Sequence, residues 1–505
     1  MSVNNKKVVV VGAGIAGLTT AAILTKVGLS VTLLESHTQP GGCAGTFKRK
    51  GYVFDVGATQ VAGLEQGGIH SRIFEFLGIH APEATILNPA CIVDLSDGSE
   101  PIKIWFEREK WITEREEQFP GSGNFWKICS LVHQSNWNFA NNNPVLPFRT
   151  PWDVSQFFKA LMPQNLLTSL LLKSSMFDLL KICGSDKDTR LINFLNLQLK
   201  LYSQENVYNT AALYGCTVLQ ISQSPHGLWH LKGSMQTLSS TLVKSIKNHN
   251  GRVLYGEKVN SINFDDQKKI WRISTLKNNK ELEYSADDVI FTPPPEGLLK
   301  LFKENSYKYK NYRNRIKSLP QASGALVFYS AIRQENIKEI KCNHYQFIDK
   351  NLGSLFLSFS DNGDGRAPEG EITLIASMFV KTKDWTNLSQ DQYALKKKEF
   401  FMAISNTLEN KFQISPSDWL HRELSTPVSF ERWTQRPQGI VGGLGQHPDI
   451  FGLFGLSSRT PFKGLWLCGD SIYPGEGTAG VSQSALMVSR QILASKGIYD
   501  FDLTD

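Results

Sequence analysis

The chain has 505 residues, of which 41% are apolar, 20% charged and 11% aromatic, enough apolar material to exclude a disordered or fibrous protein. At about 150 residues per domain the length allows two to four domains. The formal charge of +7, from 54 basic and 47 acidic side chains, suits an anionic membrane surface or a phosphate-bearing cofactor without demanding nucleic acid.

The segment Met1–Lys7 is polar and runs straight into the apolar Val8–Val11, so no secretory signal is expected. No stretch reaches the roughly 18 apolar residues that a spanning helix needs. Cysteines 43, 91, 129, 183, 216, 342 and 468 form no CxxC pair and no metal-ligand spacing, which predicts reduced thiols and no metal. The expected location is the cytoplasmic side, with no signal peptide and no transmembrane helix.

Val8–Val11 predicts a strand buried on both faces, Leu18–Val27 a helix, and Leu29–Leu34 a second strand, which together make a βαβ unit. Asn124–Tyr214 is mostly helical in pattern, with long apolar stretches at Asn165–Leu172 and Leu191–Tyr202. A helix is expected over Gly233–Ile246, then strands around Arg252–Leu254 and Ile270–Ile273. Asp288–Thr292 reads as a strand stopped by Pro293-Pro294-Pro295. Gly464–Cys468 reads as a last strand, followed by a glycine-rich turn and a helix to about Lys496. Nucleotide-domain signatures at both ends predict one domain built from 1–90, 228–300 and 445–505. A second, substrate-binding or lid domain would be inserted as 91–227 and 301–444.

Gly12, Gly14 and Gly17 form GxGxxG between the first strand and the first helix. The first glycine permits a tight turn, the second lets backbone approach a pyrophosphate, and the third allows close helix–strand packing. The helix N-terminus then offers unpaired N–H groups to phosphate. Glu35 ends the second strand 18 residues after Gly17, where a carboxylate can bind a ribose. These features predict dinucleotide binding at Gly12, Ala13, Gly14, Ala16, Gly17, Glu35 and Ser36.

Gln39-Pro40-Gly41-Gly42-Cys43-Ala44-Gly45-Thr46 and Gly51-Tyr52-Val53-Phe54-Asp55-Val56-Gly57-Ala58-Thr59 follow at once. Here the sequence resembles the FAD-dependent amine oxidase and phytoene desaturase superfamily. The resemblance implies FAD, held also by Gly41, Gly42, Gly57, Ala58 and Thr59. It implies an α/β fold: a Rossmann-like FAD-binding domain of glutathione-reductase type, assembled from separated segments, with an inserted α+β substrate domain. Where that superfamily commonly has an arginine after the double glycine, this chain has Cys43, which leaves Lys48 or Arg49 to supply charge. Gly469-Asp470-Ser471 resembles the closing motif of the superfamily, and Gly477, Gly480 and Val481 open a helix toward the flavin. By the same resemblance Val259 contacts adenine through its backbone. Cys468, in an apolar strand, reads as a core thiol.

Asp55 to Glu65 with Gly67-Gly68-Ile69-His70, Leu197 to Gln204, and Gly477 to Ala485 narrow the resemblance to the carotenoid 3′,4′-desaturases of oxygenic phototrophic bacteria. This implies FAD-dependent introduction of a C=C bond into the acyclic end of a carotenoid, by hydride transfer to flavin, in xanthophyll biosynthesis. The partners implied are an apolar polyene, a membrane surface, and oxygen or a quinone as electron acceptor. A carotene cis–trans isomerase on the same fold, a saturase and a non-enzymatic lipid-binding chaperone remain as alternatives. Trp105, Trp111, Trp126, Trp137 and Trp152, with Lys159, Lys173 and Lys181, suggest an interfacial stretch at Asn165–Leu180. No residue is assigned as a catalytic base. Glu476 is a candidate polar group beside the flavin, and His70, Glu205 and His226 are weaker candidates.

Overall fold

The computed structural model describes residues 6–302, 304, 306–320, 322–337 and 342–503; the first five residues of the polar N-terminal segment lie outside them. The first strand, β1 (Lys7–Val11), buries every residue from Val8 to Val11 because both of its faces are covered. It lies in the middle of a five-stranded parallel sheet. β2 (Ser30–Glu35) and Arg252–Tyr255 lie on one side of it, and Asp288–Phe291 and Leu465–Leu467 on the other. Five strands from four distant parts of the chain thus close one sheet, in the Rossmann-like manner expected.

Helix α1 (Ile15–Lys26) is buried from Ile15 to Thr25 and has no polar face. It is sandwiched by the helices Gln236–Asn248 and Thr478–Ser495, and the last of these is buried almost end to end. One apolar cluster joins β1, α1, β2 and these helices into a single core. A three-stranded antiparallel layer, Lys258–Asp265, Ile270–Lys277 and Lys280–Ala286, feeds directly into the strand Asp288–Phe291.

A second, seven-stranded sheet runs in the order Trp419–Ser425, Gly324–Arg333, Glu371–Val380, Gly353–Phe359, His344–Asp349, Cys91–Asp94, Ile102–Ile104. All its pairings are antiparallel except that between His344–Asp349 and Cys91–Asp94. Helices between Gly123 and Val218 form a layer with a large aromatic core. Trp111 and Trp126 belong to that core at 2% and 1% exposure, so these two are packing residues rather than interfacial ones. The predicted helix at Asn165–Leu172 is a short α-helix, Pro163–Thr168, that tightens into a 3₁₀ turn over Ser169–Leu171.

A buried ionic knot ties the loop ahead of Glu371–Val380 in the seven-stranded sheet to the hairpin strand Tyr52–Asp55 and to the start of the helix Gln236–Asn248. Arg366 donates to Asp55 at 3.0 and 3.2 Å, to Asp364 at 2.7 Å and to the Leu231 carbonyl at 2.9 Å. Asp55 also accepts the Met235 N–H at 2.8 Å, just ahead of the helix Gln236–Asn248. Burial pushes the Asp55 carboxyl up and Arg366 pulls it down, so the acid of the Asp55–Gly57 motif serves here as a structural tie.

Candidate active site

Two cavities meet at the glycine loop. The larger, about 850 Å³, runs from the loop to the helical layer, and the smaller, about 690 Å³, runs from the loop past Glu35 and His37 toward Trp433. Gly14 lines both.

The three glycines of the motif differ in what they avoid. A Cβ on Gly17 would lie 2.0 Å from the Gly12 carbonyl oxygen, and one on Gly12 would lie 2.7 Å from Thr292 Oγ1 at a φ of +99°. Those two are required by the protein itself. A Cβ on Gly14 would meet nothing within 4 Å, so its bareness leaves room for something the protein does not supply. A group lying against bare backbone at a helix N-terminus fits a cofactor diphosphate.

The remaining expected residues fall around this point. Glu35 Oε2 accepts the Ala13 N–H at 2.7 Å, and Oε1 accepts the His37 N–H at 2.7 Å and the Ser36 hydroxyl at 3.2 Å. The carboxylate therefore holds the loop while lining the smaller cavity, as do Gly12 and Gly42. Gly41 donates to the Ala13 carbonyl at 2.8 Å, which clamps the double glycine across the first loop. Ala16, Gly41, Gly57, Ala58 and Thr59 line the larger cavity, and Thr59 Oγ1 is 3.2 Å from His344 Nε2. Gly469 and Asp470 line it opposite, followed by Gly477, Gly480 and Val481 at the N-terminus of Thr478–Ser495. Ala13, Gly17, Ser36 and Val259 line neither cavity; Val259 is buried in the core beneath the strand layer.

Cys43 lines both cavities, and the charge absent from it comes from a distant residue, Arg436. Arg436 Nε donates to the Ile440 carbonyl at 2.8 Å and Nη2 to Asp470 at 2.8 Å and to the Gly442 carbonyl. Asp470 and Cys43 raise the pKa of Arg436 against the effect of its burial, and among the described residues its hydrogen bonds run through Nε and Nη2, not Nη1. A fixed cation with a free donor, at the junction of two cavities, fits a phosphate or a flavin carbonyl. Sequence reading missed it because 393 positions separate Cys43 from Arg436. The one signal was the empty arginine position itself. Lys48 and Arg49 line the smaller cavity, with Arg49 paired to Glu423 at 3.4 Å.

Glu476 lines the larger cavity. His70 is buried outside both cavities with its pKa lowered to about 4 by that burial. His226 pairs with Glu65 at 3.3 Å, and Glu205 accepts from Asn209 at 3.2 Å; neither lines either of these two cavities. Cys468 is a core thiol, 3.4 Å from Thr20 Oγ1, with burial pushing its pKa to about 11. All seven cysteines are free. Among the described residues no group of three or more His, Cys, Asp or Glu is placed to hold a metal ion, and no helix is long and apolar enough to cross a membrane.

The outer end of the larger cavity is formed by Phe157, Leu161, Asn165, Thr168, Ser169 and Leu172. On the outer side of these same helices Phe158, Leu166, Leu167 and Leu170 are exposed to solvent, at 65% to 81%.

The sequence matches the family described as flavin containing amine oxidoreductase over residues 15–493. Chloroplastic prolycopene isomerase of Daucus carota is 25% identical over 509 residues, covering 97% of this chain and 80% of that protein. All-trans-retinol 13,14-reductase of Danio rerio is 23% identical over 545 residues, covering 96% and 86%. The 4,4′-diapolycopen-4-al dehydrogenase of Metabacillus indicus is 24% identical over 510 residues, covering 97% of each. Among solved structures, wild-type putrescine oxidase bound to putrescine superimposes with a TM-score of 0.61 at 16% identity, covering 98% of this chain and 99% of that one.

Proposed function

The chain belongs to the flavin-containing amine oxidoreductase family and is an FAD-dependent oxidoreductase, and on that premise we propose that it introduces a C=C bond into the acyclic end of a carotenoid by 3′,4′-desaturation. The observation that carries the polyene reading is the larger cavity. It has largely apolar walls, and its lining runs from the FAD-fitting glycine loops to helices that also carry exposed apolar side chains. An amine substrate needs none of that reach, and a polyene dissolved in a bilayer needs all of it. The curated relatives named for prolycopene, retinol and diapolycopenal act on this same chemical class. The division into an FAD-binding part (1–90, 228–300 and 445–505) and a substrate part (91–227 and 301–444) belongs to this proposal.

FAD, when bound, supplies acceptance of a hydride together with its electron pair. The residues of this chain do the rest. Gly14, Gly41 and Gly42 let backbone lie against the diphosphate, Glu35 fixes the loop beside the ribose, and Arg436 with Asp470 sets the charge at the junction. The first turn of Thr478–Ser495 presents unpaired N–H groups and the positive end of a helix dipole to the cavity. The apolar walls exclude water from a polyene cation, which would otherwise be trapped by hydration. Phe158, Leu166, Leu167 and Leu170, with Lys159 and Lys173 beside them, form a surface that can dip into an anionic bilayer and take substrate directly from it.

The likeness to prolycopene isomerases favours one second reading, cis–trans isomerisation of a carotene without net oxidation. Mass and absorption of the product separate the two. The FAD-loaded protein, incubated with acyclic-ended carotenoids in liposomes, is expected to yield a product two hydrogens lighter that absorbs at longer wavelength. An unchanged mass with a new geometric isomer moves the assignment to isomerase, and a gain of two hydrogens to saturase. Purified protein without flavin would return the chain to the lipid-binding class.

A further inference from the structure

We propose that Glu476 is the catalytic base of this reaction, taking up the proton that leaves the polyene as the new double bond forms, with Gln204 as the residue that positions it. This rests on the desaturation reading above.

Glu476 stands in the wall of the larger cavity, on the loop between Asp470 and the helix Thr478–Ser495, flanked by the cavity-lining Pro474 and Gly477. Its two oxygens are unequal. Oε2 accepts from Gln204 Nε2 at 2.7 Å and from the Gly443 N–H at 3.3 Å. Oε1 is buried and has no hydrogen-bond partner among the described residues. Gln204 cannot turn away, because its amide oxygen accepts the Ser323 N–H at 2.9 Å while its NH₂ also reaches the Val441 and Gly443 carbonyls at 3.2 and 3.1 Å. Both donors are thus spent on Oε2, which leaves Oε1, enclosed in the cavity wall, as the oxygen whose lone pairs are unused.

The groups facing Glu476 leave it as the available base. Lys200, at the end of the helix Thr189–Ser203, lines the cavity but gives its ammonium to the Gln204 carbonyl at 2.7 Å. Tyr214, on the helix Ala212–Val218, donates to the Tyr202 carbonyl at 2.7 Å, and burial drives its pKa well above the ordinary tyrosine value. Arg436 and Asp470 neutralise each other at 2.8 Å. Glu205 accepts from Asn209 at 3.2 Å and lines neither cavity. Burial pushes the Glu476 pKa up to about 8, against the hydrogen bonds of Gln204 and Gly443 that pull it down; Asp470 adds to the rise and Arg436 opposes it. A carboxylate in such a site binds protons more strongly than an exposed one, yet a useful fraction is ionised at neutral pH.

The step balances. One C–H bond breaks with its electron pair going as hydride to FAD, which gains two electrons. The neighbouring C–H bond breaks with its pair becoming the new π bond, and the proton goes to Oε1 of Glu476. The polyene loses two hydrogens and two electrons. Between the two events, the carboxylate stabilises the positive charge spread along the polyene in a medium where water cannot.

The test uses FAD-loaded wild-type protein with Glu476→Gln, Glu476→Asp and Gln204→Leu. The infrared difference between wild type and Glu476→Gln is expected to show a protonated carboxyl band at pH 7 that fades as pH rises through about 8. With carotenoid in liposomes, the wild-type rate should rise through the same pH range, because only the ionised form accepts a proton. Glu476→Gln should keep its FAD, turn over roughly 100-fold or more slowly, and lose the rise. Glu476→Asp should restore part of the rise, and Gln204→Leu should move it to higher pH by removing a hydrogen bond to the ionised form. A Glu476→Gln variant that keeps FAD and wild-type turnover overturns the proposal and leaves desaturation standing. Absence of the carboxyl band at pH 7 also overturns it. A wild type that shows the band but converts no carotenoid overturns the desaturation reading, and the role of the base with it.

Discussion

The cofactor-facing and substrate-facing walls of the site are built in opposite ways. The first is mostly backbone: glycine loops at 12–17, 41–45, 469 and 475–480, set at strand ends and helix starts. The second is side chain: aromatic and aliphatic groups from helices between Gly123 and Val218 and from strands of the seven-stranded sheet. Backbone recognition needs a bare Cα at fixed spacing, so it writes a short local motif. Apolar enclosure needs only volume and low polarity, which many sequences supply equally well.

The largest expected effects test this contrast within a single motif. Gly17→Ala places a methyl group 2.0 Å from the Gly12 oxygen and should abolish the folded, flavin-binding protein, read as loss of soluble protein and of bound FAD. Gly14→Ala has open space and an ordinary φ of −68°, so thermal unfolding of the flavin-free protein should be unchanged. FAD affinity of Gly14→Ala should nonetheless fall about tenfold or more, since the new methyl group would occupy the cofactor's approach. If Gly14→Ala destabilises the flavin-free fold as Gly17→Ala does, the division between protein-required and ligand-required glycines is broken.

Next in size is the buried knot around Arg366. Arg366→Met leaves Asp55 and Asp364 facing each other without their shared cation in a buried site. The expected loss is about 3–5 kcal/mol in chemical unfolding. A double variant that also replaces Asp364 by Asn should recover part of it, because one uncompensated charge goes with it.

What the sequence made legible follows the same contrast. The βαβ opening, the closing strand and helix, and nearly every glycine of the site follow from residue type and spacing alone. The seven-stranded sheet escaped, because its strands pair across long separations, as Gly324–Arg333 does with Trp419–Ser425, and carry no turn signal that names their partner. Arg436 and Arg366 escaped for a related reason: Arg436 meets Asp470, and Arg366 meets Asp55, only after the chain has folded, at sequence distances of 34 and 311 residues. Trp111 and Trp126 misled, since an aromatic at a bilayer surface and one in a helical core have the same letter.

Buried histidines give a smaller, graded effect that spans both regions. Burial holds His70 down to about 4, and His133 and His344 down to about 3, so all three are neutral in the folded protein. In the unfolded chain they titrate near 6.5, about the ordinary value of a free imidazole. Below that pH the unfolded state binds more protons, and stability must fall as pH falls toward 4. Each histidine contributes roughly 1.4 kcal/mol per pH unit at most, and stability above about pH 6.5 should be insensitive to them. His70→Leu should flatten the acid limb of the unfolding midpoint plotted against pH.

The smallest effect on the fold should carry a large effect on access to substrate. Leu166, Leu167 and Leu170 stand at 71%, 75% and 81% exposure and belong to none of the buried core clusters. Replacing all three by Ser should change unfolding free energy by no more than about 1.5 kcal/mol, about 0.5 kcal/mol for each ordinary surface position. Exposed leucines that contribute nothing to folding are costly to keep in water unless another apolar phase covers them. The triple variant should therefore lose flotation with anionic vesicles and turn over carotenoid presented in those vesicles slowly. With the polyene offered in detergent micelles, the variant and the wild type should run at similar rates, because the cavity behind the surface is untouched. Equal binding of variant and wild type to vesicles would remove the bilayer from this face and leave the cavity mouth to be filled from solution.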